Sequence, residues 1–271
     1  MSMLVQALYN IVDSYFVAKV SEDALTAVSL VFPVQNLLIA VAIGTGVGLN
    51  SLISRRLGEG RFEEARSAAT HGLLLAVVNW LLFALIGLFF SRMFLSAFID
   101  NAAVVEMGTQ YMSIVCIASI GLCMEGAIEK TLQGTGNMIY PMLSQLIGAV
   151  TNIILDPIFI FGLFGVPKMG VAGAAIATVL GQIFAMLFLF YVLARREKVL
   201  KISFKNFKFH GGMVKEIYAV GFPSIIMQSI GSVMTMGMNA ILIKFTETAV
   251  AFFGVYFKLQ SFVFMPVFGL N

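Results

Sequence analysis

What most constrains this chain is the spacing of its charges. Consecutive charged residues enclose uncharged, largely apolar windows at 24–54, 72–91, 107–124, 131–155, 169–194 and 217–243, each 18 to 31 residues long. A helix needs about 20 such residues to cross a hydrocarbon core roughly 30 Å thick. Two further windows lie at the chain ends, 1–19 interrupted by Asp13 and 248–271 interrupted by Lys258. The predicted fold is therefore an all-α membrane protein with eight transmembrane helices. With 11% charged residues the chain is far below the quarter usual in soluble domains, which excludes a water-soluble globule. A net charge of +3, with basic residues flanking the windows, gives no stripe for nucleic acid. Cys116 and Cys123 share one apolar window and read as two core residues on one helix face, with no disulfide framework. Met1 has no basic segment or cleavage site after it, so a signal peptide is not expected.

The connections alternate in charge. Arg55, Arg56, Arg61, Arg66, Lys130, Arg195, Arg196, Lys198, Lys201, Lys205, Lys208 and Lys215 make up 12 of the 17 Lys and Arg, all in every second connection. The positive-inside rule places segments 55–66, 130 and 195–215 in the cytoplasm of a multi-pass protein of the plasma (inner) membrane. The longest polar stretch, KVLKISFKNFKFHGG at 198–212, reads as a linker between two lobes. The expected units are residues 1–197 with helices one to six, a linker at 198–213, and residues 214–271 with helices seven and eight.

An internal repeat supports that boundary. Aligning 19–35 with 244–260 pairs Lys19 with Lys244, Glu22 with Glu247, Ala24 with Ala249, Phe32 with Phe257 and Gln35 with Gln260. After four deleted residues, Gly48-Leu49-Asn50 pairs with Gly269-Leu270-Asn271. Six spans per unit keep both copies in the same orientation, one of the recurring plans of secondary transporters. The second copy stops after two helices and the first starts inside helix one, so the chain reads as a fragment truncated at both ends.

Ionisable groups within spans cost about 2.5–3.5 kcal/mol each on insertion scales and call for a reason. Asp13 lies about 9 Å inside helix one at 1.5 Å per residue, with Asn10 on its face. Asp156 is placed deeper, near the middle of the fifth span, with Asn152 one turn before it. Pro157 cannot bond the carbonyl of Ile153 and so frees it beside that face; Pro266 is a second candidate kink. These are hard oxygen donors, suited to a proton, Na⁺ or a cationic group. The alternative is that each aspartate only accepts hydrogen bonds from a neighbouring helix, and the ion-handling reading is favoured. Lys258, Tyr9 and Gln35 are candidates for a cavity lining, although Lys258 reads equally well as snorkelling. His71, Glu125 and Glu129 are read as structural, pairing with Lys130 or the arginines. Gly44-Thr45-Gly46-Val47-Gly48 and Gly170, Gly173, Ala177 and Gly181 read as close helix packing, not as nucleotide loops. No catalytic motif, metal spacing or Walker motif occurs, so no enzyme, resident metal or cofactor is expected.

Taken in order, several motifs resemble the multidrug and toxic compound extrusion (MATE) family, particularly its DinF/MepA-like bacterial branch. They are Tyr9-Asn10-Ile11-Val12-Asp13-Ser14-Tyr15-Phe16-Val17, Gly46-x-Gly48-x-Asn50-Ser51-x-Ile53-Ser54-Arg55-x-x-Gly58, and Gln133-Gly134-x-Gly136-Asn137-x-x-x-Pro141-Met142. Asn152-x-x-x-Asp156-Pro157 and Met265-Pro266-Val267-Phe268-Gly269-Leu270-Asn271 complete the set. The resemblance implies a twelve-helix antiporter of two six-helix bundles, monomeric when whole, that expels cationic or amphipathic small molecules in exchange for H⁺ or Na⁺. It implies that Asp13, Asn152 and Asp156 carry the coupling ion, which would be Na⁺ or a proton. Branches with a coupling acid in helix seven find no match, since 217–243 contains none. The rival readings are a lipid or polysaccharide flippase of the same superfamily, a non-transporting membrane interaction protein, or a channel. Membrane lipids are the only other partners expected.

Overall fold

The computed structural model describes residues 11–196, 200 and 209–270. Among them every regular element is helical: α1 (11–18), α2 (Glu22–Gly58), α3 (Phe62–Phe89), α4 (Ser91–Ser96), α5 (Ala102–Ile117), α6 (Ile120–Gly134), α7 (Ile139–Phe161), α8 (Val171–Arg195), α9 (Gly211–Leu242) and α10 (Glu247–Leu270). Tyr9, Asn10 and most of the predicted linker lie outside the described residues, as do the side chains of Lys258 and Pro266. Helices α2, α3, α7, α8 and α9 are each long and apolar enough to cross a membrane, and the bent pair α5 and α6, if taken as one span, makes a sixth. The chain is a multi-pass membrane protein, and its segments follow the order of the predicted windows.

Local sequence explains the ends. Ser21 caps α2 by accepting the Ala24 N–H at 3.0 Å, with Glu22 and Asp23 in the first turn and Arg55 and Arg56 in the last, each placed to complement the helix dipole. The chain then reverses through Gly60 at φ 74°. Gly162 closes α7 in the left-handed region, at φ 75°.

Several boundaries differ from the windows. The window 107–124 is not one straight helix: α5 and α6 meet at a 42° bend over Ala118 and Ser119. The Ile117 carbonyl released at that bend is taken by the Trp80 indole N–H at 2.8 Å, and the Ser119 hydroxyl donates to the Cys116 carbonyl at 2.7 Å. Cys116 and Cys123, expected on one helix face, therefore sit on either side of the bend, both buried. Helix α3 begins ten residues before its apolar window, since its first turns are charged instead of apolar. Gly211 and Gly212, expected to end the linker, instead open α9.

Apolar residues form two buried clusters. One, around Val17, Leu30, Leu38, Leu95, Tyr111 and Ile160, fills the end where α1 meets α8. The other, around Leu49, Ile53, Leu73, Ile128, Leu132 and Leu189, fills the end marked by Arg55, Arg56, Lys130 and Arg195, here called the basic end. Outside, Leu81, Leu85, Leu88, Ile154, Phe184 and Leu187 are exposed, a surface matched to lipid and not to water.

The glycine runs act as close-packing seams. The most extensive interface is between α2 and α9, where a Cβ on Gly48 would stand 2.0 Å from the Ile217 carbonyl oxygen and one on Gly221 2.8 Å from that of Gly44. Helices α2 and α10 meet at residues paired by the internal repeat. The Phe32 and Phe257 rings cross edge to face at 6.0 Å, and Ser29 lies against Gly254, an offset of 225 residues in both cases. Self-contact between repeat-equivalent residues is what a two-fold axis along the helices produces.

Candidate functional site

Between the two apolar clusters lies a layer of buried polar side chains. Asn79 on α3 donates to Thr45 Oγ1 on α2 at 3.1 Å, and α6, α7 and α8 bring Glu125, Asn152, Asp156 and Thr178 to the same bundle. Small residues make this possible. A Cβ on Gly181 would lie 2.8 Å from the Gly148 carbonyl and one on Gly173 2.6 Å from Phe159, so α8 lies directly on α7. That closeness brings Thr178, three residues before Gly181, against Asn152.

Asn152 is the centre of the group. In the amide orientation that satisfies both neighbours, its nitrogen donates to Asp156 Oδ2 at 3.1 Å, while its oxygen accepts the Thr178 hydroxyl and N–H, each at 3.2 Å. Asp156 is wholly buried, Asn152 2% exposed and Thr178 6% exposed. The predicted pairing of Asn152 with Asp156 on one face thus holds. The depth of Asp156 does not: α7 runs on to Phe161, so Asp156 lies five residues from its end instead of at its middle.

Asp13 is 5% exposed and on α1. The Phe16 and Phe161 rings meet at 6.1 Å, three residues after Asp13 and five after Asp156. At 1.5 Å per residue the two aspartates therefore lie within about 3 Å of the same level. Pro157 sits inside α7 as expected. Gln35 on α2 is half-buried, and its Oε1 receives the Tyr111 hydroxyl at 3.5 Å.

The residues set aside as structural partly change partners. His71 is fully buried, its Nδ1 2.8 Å from the Ser67 carbonyl and its Nε2 accepting the His210 backbone N–H at 3.0 Å, so it holds the start of α9 and not an arginine. Glu129 does lie near Lys130, at 3.7 Å, but Glu125 takes the Ser144 hydroxyl at 2.9 Å instead. Arg56 joins Glu59, Glu64 and Glu216, and Arg55 also pairs with Glu216, so the basic ends of α2 and α9 are tied by charge.

A cavity of about 80 Å³ opens beside Asn152, lined by Leu122, Glu125, Gln145, Asn152, Thr178 and Gln182 among others. Thr178, Ser144, Gln145 and Gln182 were not singled out from sequence. Thr178 alone carried a usable signal, its place within the Gly173–Gly181 seam. Removing its hydroxyl in Thr178→Val leaves the Asn152 amide short of a donor at a buried position, at a cost of about 1–3 kcal/mol. The expected outcome is a lower thermal midpoint in detergent, by about 2–4 °C per kcal/mol, against no change for the exposed Ser51→Ala.

The arrangement is a buried set of oxygen donors beside a small cavity, suited to bind and release one small cation. Comparison with known proteins gives the family. The MatE family model matches residues 1–158, more than half of the chain. Over 269 residues the chain is 27% identical to the multidrug export protein MepA of Staphylococcus haemolyticus, covering 99% of this chain and 59% of that protein. It is 25% identical to an FAD transporter of Shewanella oneidensis, over 97% of this chain and 58% of that protein. A solved structure of the MATE multidrug transporter DinF-BH, in a ligand complex, superposes with a TM-score of 0.92 at 31% identity, over 99% of this chain and 60% of that one. An inward-facing multidrug resistance MATE family transporter of the MOP superfamily gives 0.90 at 31% identity, over 97% and 60%. The chain therefore spans about three-fifths of the length of the relatives it matches. On the family model, which covers more than half of its residues, the chain belongs to the MatE family, one of transporters and not of enzymes.

Proposed function

We propose that this chain is the first lobe and the opening helices of the second lobe of a secondary multidrug exporter, which expels cationic or amphipathic small molecules in exchange for H⁺ or Na⁺. The observation that carries the reading is the buried Asn152, Asp156 and Thr178 group at the level of Asp13, an oxygen-rich site within the first bundle. Residues 1–197 form that bundle and 198–213 the connection. The crossings number eight, with α1, the bent α5–α6 pair and α10 each counted once. The edge-to-face contact of Phe32 with Phe257 supports the parallel two-lobe plan. The basic end faces the cytoplasm of an inner-membrane protein, and the whole transporter acts as a monomer without a cofactor.

Protonation or Na⁺ binding at Asp13, Asn152 and Asp156 biases the protein toward one of its two access states, which it does only through unequal affinity for them. A flippase for anionic head groups is disfavoured, since the polar lining of the cavity is an acid, amides and a hydroxyl, with no cation among the described residues. The test uses the full-length transporter in proteoliposomes with a fluorescent cationic dye. Dye transport that follows an imposed H⁺ or Na⁺ gradient, and stops when an ionophore dissipates it, is expected. Transport indifferent to both gradients overturns the reading.

A further inference from the structure

The polar cavity continues past Asn152 toward the basic end and stops at a carboxyl group that the coupling reading does not use. Glu125 is 9% exposed and lines the cavity with Gln145 and Gln182. Its Oε1 is 2.9 Å from Ser144 Oγ, and its Oε2 makes no hydrogen bond among the described residues. The same Ser144 hydroxyl lies 3.4 Å from the Ala185 carbonyl. Gln145 donates its amide nitrogen to Glu129 Oε2 at 3.2 Å, which leaves Gln145 Oε1 buried with no partner among the described residues. Donors are therefore short at Glu125, Ala185 and Gln145 Oε1. One hydroxyl proton serves both the Glu125 carboxyl and the Ala185 carbonyl, and nothing serves Gln145 Oε1.

The charged and titratable groups of the surrounding elements do not relieve Glu125. Helix α6 is packed by α2, α3, α7 and α8. Their ionisable side chains are Glu22, Asp23, Arg55 and Arg56 at the ends of α2, Glu63, Glu64, Arg66 and His71 on α3, Tyr140 and Asp156 on α7, and Tyr191 and Arg195 on α8. Of these, Arg56 is held by Glu59, Glu64 and Glu216, and His71 by Ser67 and His210. On α6 itself, Cys123 carries no charge to offer, Glu129 is one turn away and adds a like charge, and Lys130 lies beside Glu129 and donates to Gln133. A buried carboxylate with no cation facing it is costly, and a proton removes the charge and supplies the missing donor. With Glu125 protonated, its O–H donates, and the Ser144 hydroxyl turns to Ala185.

We propose that Glu125 is a second proton-binding carboxyl of the lobe, on the basic-end side of Asn152, which exchanges its proton with the aqueous phase through Glu129. The step balances simply. An O–H bond forms on Glu125 as one breaks on the donating acid or hydronium, and the reverse transfer delivers the proton to Glu129 and then to water, with no change in oxidation state. A cavity of about 80 Å³ holds several waters by the measure of one probe sphere, about 10–15 Å³. Gln145 precedes Asn152 by seven residues, so one helix face about 10 Å long connects Glu129 to the Asn152 group. This extends the coupling reading and does not depend on it.

The test is pH-difference infrared spectroscopy of the 271-residue chain in lipid nanodiscs, following the carbonyl stretch of protonated carboxyl groups. The expected result is an intensity that persists in an Asp13→Asn, Asp156→Asn double variant, disappears in Glu125→Gln and returns at a shifted frequency in Glu125→Asp. Glu129→Gln keeps the intensity and slows its response to a pH jump at least about tenfold. Intensity unaltered in Glu125→Gln overturns the assignment, as does a set of bands lost only in the double variant. An unchanged rate in Glu129→Gln overturns the exchange route. A double variant that loses no carboxyl intensity contradicts proton coupling at Asp13 and Asp156 and leaves the Glu125 assignment standing, which keeps the two outcomes apart.

Discussion

Gradient-driven export falls by at least about a hundredfold, the equivalent of roughly 2.7 kcal/mol, when Asp156 is replaced by Asn in the full-length transporter. The substitution preserves the shape of the side chain, and the Asn152 amide retains an oxygen to face. What it removes is the only carboxyl group on α7. A carboxyl that alternates between charged and neutral, or between empty and Na⁺-bound, gives the ion unequal affinity for the two access states, and an amide gives none. Asp13→Asn acts in the same direction from α1. Dye binding, read by fluorescence polarisation, is retained in both variants, since the loss is of coupling and not of the fold. Dye efflux from energised vesicles is the measurement, and wild-type efflux in either variant counts against the assignment.

The largest structural effect is expected at the α2–α9 seam. In Gly48→Val the new Cβ stands 2.0 Å from the Ile217 carbonyl oxygen, a backbone atom with no rotamer to change. Either α9 shifts outward or α2 bends, and overpacking of this kind costs about 1–3 kcal/mol. The partner position Gly44 faces Ile225 in the same seam, so the displacement is not absorbed one turn away. The thermal midpoint, followed by unfolding in detergent, is expected to fall by several degrees. Gly58→Ala, whose Cβ meets nothing within 4 Å, serves as control and stays within about 0.5 kcal/mol.

The part of this fold legible in the sequence is the part written by transfer free energy. Charges are excluded from lipid-facing stretches, so the windows between them marked the spans in order, and the Gly44–Gly48 and Gly170–Gly181 runs marked where helices approach. The bend at Ala118 and Ser119 left no such trace. Neither residue is a proline or a glycine, and the released Ile117 carbonyl is met by Trp80, 37 residues earlier in the chain. The early start of α3 was hidden for a related reason, because Glu63, Glu64 and Arg66 end an apolar window without ending a helix. Within the site, Asn152 and Asp156 were legible because an acid within a span is costly and their four-residue spacing puts both on one helix face. Gln145 was not, since a lone glutamine in a span has an unremarkable cost and only tertiary packing gives it a partner, and Thr178 was marked by nothing more than its place in the Gly173–Gly181 seam. Glu125 was visible as an acid but read against Lys130, a neighbour in sequence, when its partner is Ser144, on the next helix.

The central claim is that Asp13, Asn152 and Asp156 act as one cation site. A double-mutant cycle on gradient-coupled dye efflux tests it most directly, with Asp13→Asn, Asp156→Asn and the two combined. Residues that share one ion lose it once, so the combined variant is predicted to be no more impaired than the worse single variant, and the coupling energy is large. Independent losses that multiply in the double variant would show two unrelated buried acids and contradict the account.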